Sequence, residues 1–311
     1  MSAIFSARHT GLGALAILSL GTLGALGALS TSLPPHLLLT VCFAIAAAMG
    51  SVICVATGRR PARLLDRRVG LFAGLLAAYH QAYLQAFHHA APIPVSLINY
   101  LWPACLIILG NLFFRLHSGA AGYMGAALGF AGVLVLIGKD GFALEASDAL
   151  GYGLAFLGAI LWALFSNLRR HDPSDPIPAM TTICFGASLM CGIWWMATGA
   201  SLPDLQAMDV GVILALGLGP AGGAFFLWDL GMRHGHAALL GVLGYSAPVF
   251  STLLMLSLGM GKPGWEIFVA IRLITLGGIV VHAGPKRASP VGTNLGKGQK
   301  AQGTVTAPPP S

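Results

Sequence analysis

Long stretches without a charged side chain restrict this sequence to folds in which most segments are surrounded by apolar material. No Asp, Glu, Lys or Arg lies between Arg8 and Arg59, or between Arg68 and Arg115. Over the 311 residues of the chain only 9% are charged, whereas a soluble domain has about 25%. Because a water-soluble protein needs a charged surface, this composition excludes a cytosolic enzyme, a nucleic-acid-binding protein and a secreted disulfide scaffold. It indicates a polytopic membrane protein.

The number of membrane spans follows from their length, because a helix needs about 20 apolar residues to cross about 30 Å of hydrocarbon. Backbone polar groups in lipid must be satisfied within the segment, so each span is expected to be an α-helix. The alternation of apolar and polar residues that marks membrane barrel strands is not found in the sequence. We predict ten spans, at residues 11–29, 36–57, 69–89, 95–114, 119–138, 148–167, 178–199, 209–230, 236–258 and 264–283.

The two ends of the chain need separate interpretation. Residues 1–9 and the apolar run that follows them resemble a secretory signal peptide with a cleavage site near the sequence GALGALS. The apolar run is longer than the roughly 7–15 residues of such a signal, so we interpret it as the first span. Residues 285–311 are rich in Pro, Gly and Lys without an apolar period, which predicts a disordered tail.

The distribution of basic residues predicts the orientation of the spans, because short loops rich in Lys and Arg stay on the cytoplasmic side. With the N-terminus in the cytoplasm, 14 basic residues fall in cytoplasmic segments and only Lys139 and Lys262 fall outside. The predicted outer loops instead carry acidic residues: Asp140, Glu145, Asp148, Asp204, Asp209 and Glu266. We therefore expect a bacterial inner-membrane protein with both termini in the cytoplasm, and the net charge of +7 requires no nucleic acid.

The chain contains an internal repeat with a constant offset of 145 residues. Under this offset the third to fifth predicted spans fall on the eighth to tenth. The coinciding residues are Gly13 with Gly158, His89 with His234, Tyr100 with Tyr245, Pro103 with Pro248 and Gly132 with Gly277. Because each unit has five spans, an odd number, the second unit must cross the bilayer in the opposite direction. We predict two inverted five-helix repeats, residues 1–142 and 143–284, around a central cavity, as in many secondary transporters.

Polar and aromatic side chains cluster in the third predicted span, where lipid would not accommodate them. Tyr79 and Tyr83 are four residues apart, hence on one helix face, and His80 adjoins them. Their position near the middle of the span favours a substrate cavity over an interfacial aromatic belt. Structural hydrogen bonds between helices are an equally good explanation of the polar residues on this helix.

A second group of candidate residues surrounds the sequence NYLWP in the fourth span. Asn99, Tyr100 and Trp102 precede Pro103, which lacks an N–H group and so frees a carbonyl group nearby. An amide, a phenol and an indole at a loosened turn suit a zwitterion with an aromatic side chain, although a packing kink explains the same pattern. The residues expected to form the opposing wall come from the second repeat: Trp162, Trp228, Tyr245 and Pro248.

Asp229 and Arg272 are charged residues within predicted spans, where charges are usually functional. Asp229 precedes Arg233 by four residues, which predicts a local ion pair near the cytoplasmic end of the eighth span. Arg272 lies about 12 Å into the tenth span. It either holds a substrate carboxylate or extends toward the interface or a carbonyl group.

Signatures of catalysis and of metal binding are absent from the sequence. All five cysteines lie in apolar runs, with neither the spacing of metal ligands nor a disulfide framework. The sequence has no GxxxxGK[ST] phosphate-binding loop, so ATP does not drive the protein directly. We expect no enzyme activity, no cofactor and no metal. The expected partners are a small-molecule amino acid substrate and membrane lipid, with the chain acting as a monomer.

Three stretches of the sequence carry a resemblance to a known family. They are HHAAPIPVSLINYLWPACLIILGNLFF, LGAILWALFSNLRR and FLWDLGMRHGHAALLGVLGYSAPVFSTLL. Together with ten spans in two halves, they resemble the drug/metabolite transporter superfamily, and within it the bacterial aromatic amino acid exporters. Asp229 departs from the family pattern, which has Asn at that place, and so does Arg272, where a small residue is usual.

The resemblance implies export of amino acids, with aromatic and other bulky neutral ones preferred, by alternating access of the two halves. Proton relays usually need acidic or histidine side chains at mid-membrane, and His80 and Asp229 are the only candidates that we identify. We therefore predict facilitated diffusion. Two alternatives stay open: an exporter of drugs or nucleobase-type metabolites with the same fold, with or without proton coupling, and a membrane scaffold or sensor that transports nothing.

Overall fold

The computed structural model describes residues 7–60, 64, 66–114, 119–138, 146–170, 172–199, 201–235, 243 and 246–283. Within these residues all regular secondary structure is helical. The helices are α1 (Ala7–Gly21), α2 (Leu23–Leu29), α3 (Pro35–Ala56), α4 (Arg67–Ala86), α5 (Pro92–Asn99), α6 (Trp102–Phe114), α7 (Gly119–Gly138), α8 (Ala146–Arg170), α9 (Pro176–Ala197), α10 (Ala207–Leu218), α11 (Gly223–His234), α12 (Ala247–Ser257) and α13 (Trp265–Ala283). Tyr245 and the predicted tail, residues 285–311, lie outside the described residues.

Five helical segments of the described ranges are long and apolar enough to cross a membrane. They are Ala7–Leu29 (α1 and α2), Pro35–Ala56 (α3), Asp148–Arg169 (within α8), Pro176–Ala197 (α9) and Ala207–Gly231 (α10 and α11). Large apolar side chains on these segments face outward, among them Val52 at 69% exposure and Trp194 at 59%. Such an apolar exterior is typical of a surface in contact with lipid rather than water.

Interruptions divide three of the predicted spans into pairs of shorter helices, the first of them at Thr22, between α1 and α2. In the fourth span α5 ends at Asn99 and α6 begins at Trp102, next to Pro103, as the sequence predicts. In the eighth span α10 ends at Leu218 and α11 begins at Gly223, an interruption that we did not predict. Pro220 provides the physical reason, because it has no N–H group with which to continue the helical hydrogen bonds.

Helices α3 and α9 pack closely along much of their length. Near the start of α3, the Thr40 carbonyl oxygen accepts a hydrogen bond of 2.8 Å from the Ser188 hydroxyl. Near its end, the Cys54 sulfur lies 3.8 Å from the Thr181 hydroxyl oxygen. Because residue numbers rise along α3 as they fall along α9, the two helices are antiparallel.

Helices α7 and α13 approach each other through glycines. A Cβ atom added to Gly132 would lie 2.9 Å from the Ala270 carbonyl oxygen, and one added to Gly277 would lie 2.5 Å from the Gly125 carbonyl oxygen. These helices too are antiparallel, since Gly125 is near Gly277 while Gly132 is near Ala270. The two contacts are equivalent under the 145-residue offset, which relates Gly125 to Ala270 and Gly132 to Gly277. Small residues permit this close backbone packing.

Helix α4 lies at the centre of the packed helices and contacts α3, α5, α8 and α9. Its polar residues are correspondingly inaccessible, with the Tyr83 side chain 2% exposed and His80 1% exposed. The pair α4 and α8 has a counterpart in the pair α11 and α1, which are also packed together. The part of α4 that carries Tyr79, His80 and Tyr83 is therefore covered by protein.

Candidate functional site

An aromatic cluster surrounds the Tyr79 ring in the middle of α4. The centre of this ring lies 4.4 Å from that of His80 and 5.1 Å from that of Trp162 on α8. The Tyr83 ring, one helical turn further along α4, stacks on it at 6.3 Å with an interplanar angle of 5°. The sequence-predicted residues Tyr79, His80, Tyr83 and Trp162 are thus brought together, with Trp162 half-buried and the other three buried.

His80 joins this cluster to helices on its other side. Its ring makes edge contacts with Phe43 of α3 at 5.2 Å and Phe225 of α11 at 5.7 Å. The Nδ1 atom is 3.0 Å from the Leu76 carbonyl oxygen, one turn earlier in α4. The Nε2 atom is buried and has no hydrogen-bond partner among the described residues. His80 therefore places an unpartnered polar atom between aromatic rings from both predicted repeats.

Asn99 ends α5 beside the same cluster, where Pro103 prevents the helix from continuing regularly. Its side chain is 6% exposed, and its Oδ1 atom has no hydrogen-bond partner in the described part of the chain. Gly158 of α8 packs directly against it. A Cβ atom at Gly158 would lie 3.3 Å from Asn99 Oδ1 and 3.6 Å from both Tyr79 and Tyr83. Helices α4, α5 and α8 can therefore converge here because position 158 has no side chain.

A chain of hydroxyl groups extends the site beyond what the sequence predicted. The Tyr83 hydroxyl donates to Ser96 Oγ at 3.4 Å, and Ser96 Oγ is 3.3 Å from Ser251 Oγ. These serines belong to α5 and α12, the fourth and ninth predicted spans. Both were missed as candidates, although a buried hydroxyl in an apolar span is a signal that sequence inspection can use.

The remaining predicted site residues are more dispersed. Tyr100 and Trp228 are half-buried and pack against a small cluster of Ile17 and Ala247, and Tyr100 also packs against the main core. Trp102 is half-buried against the main core, and no ring contact between it and the Tyr79 cluster is found in the described residues. Tyr245, the second-repeat counterpart of Tyr100, lies outside the described residues. Pro248 is buried at the start of α12.

The chemistry available at the Tyr79 cluster is that of a recognition site. Aromatic faces stack on flat or aromatic groups and attract cations. Asn99 Oδ1 is a hydrogen-bond acceptor suited to an ammonium group, and His80 Nε2 donates or accepts according to its tautomer. Because buried polar atoms without partners are costly, both atoms are suited to a polar ligand. In the described ranges no group of three or more His, Cys, Asp and Glu side chains is placed to hold a metal ion.

Comparisons with known proteins identify the family of this chain. Residues 149–282 match the family described as the EamA-like transporter family. The chain is 31% identical over 279 residues to the aromatic amino acid exporter YddG of Ancylobacter novellus, and the match covers 87% of this chain and 96% of that one. The chain belongs to the EamA-like transporter family. The resemblance to the drug/metabolite transporter superfamily and its aromatic amino acid exporters is confirmed.

Further relatives of this EamA-type chain extend the comparison. The aromatic amino acid exporter YddG of Escherichia coli strain K12 is 28% identical over 193 residues, covering 58% of this chain and 64% of its own. A crystal structure with 31% identity superposes with a TM-score of 0.71 and covers 89% of this chain and 98% of that one. The family and the apolar helices support a multi-pass transporter of the bacterial inner membrane.

Proposed function

We propose that this EamA-type protein exports amino acids, with aromatic and other bulky neutral ones preferred, by facilitated diffusion. The observation that carries the proposal is the Tyr79 cluster, where aromatic rings surround two unpartnered polar atoms, His80 Nε2 and Asn99 Oδ1. A zwitterion with an aromatic side chain matches both features. The names of the relatives from Ancylobacter novellus and Escherichia coli support the same substrate class.

Within the site we assign the substrate side chain to the rings of Tyr79, Tyr83 and Trp162, and the ammonium group to Asn99. Gly158 leaves the space in which helices α4, α5 and α8 meet. The other predicted residues, His80, Tyr100, Trp102, Trp228 and Tyr245, complete the site as the halves move. Because both halves contribute to one site in a single chain, we propose that the monomer is the transporting unit.

The mechanism that we propose is alternating access by two inverted repeats, residues 1–142 and 143–284, with ten spans in all. Two observations support it. The pairs α3 with α9 and α7 with α13 join corresponding spans of the two repeats, and both pairs are antiparallel. In addition, His80 and Phe225 are related by the 145-residue offset and are in contact at 5.7 Å, as expected for residues near a local two-fold axis.

Counterflow of labelled phenylalanine into proteoliposomes tests the proposed function. We expect saturable flux without any imposed ion gradient, and competition by unlabelled tyrosine and tryptophan in excess. A pH gradient should not accumulate phenylalanine above its equilibrium level, because no proton is coupled to transport. Protein-free liposomes are the control. The proposal would be wrong if folded protein showed no saturable flux of phenylalanine but did transport a nucleobase or a cationic drug. The protein would then be an exporter of that alternative substrate class.

The proposed orientation places both termini in the cytoplasm and is tested by cysteine labelling in intact cells. Thr57→Cys lies on an exposed turn after α3, on the proposed cytoplasmic side, and Ser201→Cys lies on an exposed segment before α10, on the other side. We expect a membrane-impermeant maleimide to label only Ser201→Cys until the cells are permeabilised. The five native cysteines are buried, so they provide a low background. Labelling of Thr57→Cys alone in intact cells would show that the orientation is opposite to the one proposed.

A further inference from the structure

The Arg169 side chain lies near the C-terminal end of α8 and is only 8% exposed. Its Nη1 atom donates to Asp172, three residues further along the chain, and to the Ser174 hydroxyl at 3.3 Å. The guanidinium also lies over the Phe72 ring of α4, with its carbon atom 5.7 Å from the ring centre. The Nη1 side of this buried cation is therefore held by hydrogen bonds, and an aromatic ring lies against the guanidinium.

The other edge of the same guanidinium is not satisfied. Its Nε and Nη2 atoms are buried and form no hydrogen bond with any described residue. The nearest described anion on this side is Asp229 of α11, whose Oδ2 atom is 3.8 Å from Nη2 and whose side chain is 23% exposed. This distance allows Coulomb attraction but is too long for a hydrogen bond. The Arg233 side chain, predicted as the partner of Asp229, lies outside the described residues.

The Nε and Nη2 edge of a guanidinium has a specific chemical preference. Its two N–H groups point in parallel, at the spacing of the two oxygens of a carboxylate, and donate one hydrogen bond to each oxygen. Buried N–H groups that lack hydrogen bonds carry a desolvation cost, even though Asp172 pairs with the Nη1 side of this guanidinium. The Nε and Nη2 edge of Arg169 can therefore bind a carboxylate, because no described residue forms a hydrogen bond with it.

A row of aromatic rings joins Arg169 to the Tyr79 cluster. The Phe72 ring under the guanidinium contacts Phe165 at 5.8 Å, and Phe165 stacks on Trp162 at 5.5 Å. Trp162 in turn contacts Tyr79 at 5.1 Å. Arg169 and Trp162 are seven residues apart on α8, about two helical turns or 10 Å, and so share one face of this helix.

We propose that Arg169 is the docking site for the carboxylate of the transported amino acid, which displaces Asp229 from the Nε and Nη2 edge. This inference rests on the proposed function, since it assumes a substrate with a carboxylate. Displacement separates α11 from α8 at this end of the helices, and the row of aromatic rings leads the substrate side chain toward Tyr79. Between substrates Asp229 faces the Nε and Nη2 edge, while Asp172 stays paired with Nη1.

Substrate affinity in counterflow tests this role with two variants. Asp229→Asn removes the competing charge, and we expect the KM for phenylalanine to fall several-fold. Arg169→Lys keeps the positive charge but loses the bidentate edge, so its KM should rise about tenfold, which corresponds to about 1.4 kcal/mol. Asp175→Asn is the matched control, because Asp175 forms an exposed ion pair of 3.3 Å with Arg59 and should leave the KM unchanged.

Phenylalaninamide, which has no carboxylate, separates docking from a purely structural role. If Arg169 binds the carboxylate, inhibition by phenylalaninamide should be the same in wild type, Asp229→Asn and Arg169→Lys. Equal shifts for phenylalanine and its amide would show that the pair only holds the helices, and would overturn the docking site while leaving amino acid export intact. Absence of any phenylalanine flux in the wild type would instead refute the proposed function itself.

Discussion

Trp162→Ala is expected to reduce kcat/KM for phenylalanine counterflow by about 30-fold or more, since removal of a central aromatic anchor typically costs at least about 2 kcal/mol. The Trp162 ring contacts Tyr79 at 5.1 Å, Phe165 at 5.5 Å and Phe225 at 5.9 Å. It therefore connects α4, α8 and α11 within the cluster. Because the side chain is half-buried and not in the tightest core, we expect the variant to fold.

The matched control for this variant is Trp194→Ala on α9. Trp194 is 59% exposed on the outer surface of the helices, so the same truncation should leave counterflow within about twofold of wild type. Thermal unfolding of both variants in detergent checks that they remain folded. If Trp162→Ala transports phenylalanine normally while folded, the Tyr79 cluster is not the substrate site and the scaffold hypothesis regains support.

Gly222→Ala is expected to prevent accumulation of folded protein. Gly222 lies in the interruption between α10 and α11, where an added Cβ atom would overlap the Gly217 carbonyl oxygen and lie 3.0 Å from the Ala46 side chain. The first of these neighbours is backbone, which cannot rotate away as a side chain can. Overpacking of this kind typically lowers the free energy of unfolding by about 1–3 kcal/mol. Because the overlap is with backbone, we expect the loss in Gly222→Ala to be at least about 3 kcal/mol. Yield and monodispersity after extraction are the measurements.

Gly211→Ala provides the matched control within the same span. Gly211 lies in α10 with no atom within 4 Å of an added Cβ, and alanine favours helix over glycine. We expect this variant to show wild-type yield and an equal or higher unfolding temperature. Similar losses for Gly211→Ala and Gly222→Ala would mean that α10 tolerates no substitution and that the interruption has no special role. A Gly222→Ala variant with full yield would contradict the packing argument.

The interruption at Gly222 also affects the position of the site, because α11 begins at the next residue and carries Phe225 and Trp228. Phe225 contacts both His80 and Trp162, whereas Trp228 points to the cluster of Ile17 and Ala247. The sequence predicted a role for Trp228 and overlooked Phe225. A phenylalanine in an apolar span has no distinguishing feature until its neighbours are known.

Asp229 makes a contact with a distant part of the chain that sequence spacing does not show. Four-residue spacing predicts a local pair with Arg233, whose side chain lies outside the described residues, and the structure adds a contact of 3.8 Å between the Asp229 carboxylate and Arg169 of another helix. Local spacing determines only which side chains share a helix face. The approach of α8 and α11 at this end depends on packing across the whole molecule.

The sequence by itself determined the apolar helices, their approximate bounds, the interruption before Pro103 and the family. These features depend on local chemistry, namely hydropathy over about 20 residues, the missing N–H of proline and short motifs. Only the tertiary structure decided that Asn99, Gly158 and Trp162 meet around Tyr79, that Ser96 reaches Ser251, and that Arg169 keeps an unsatisfied edge. Such contacts join residues far apart in the chain, and in an apolar sequence many packings satisfy the same hydropathy. Close contacts between helix backbones at glycines favour the observed packing over the others, because a side chain at those positions would prevent the contact.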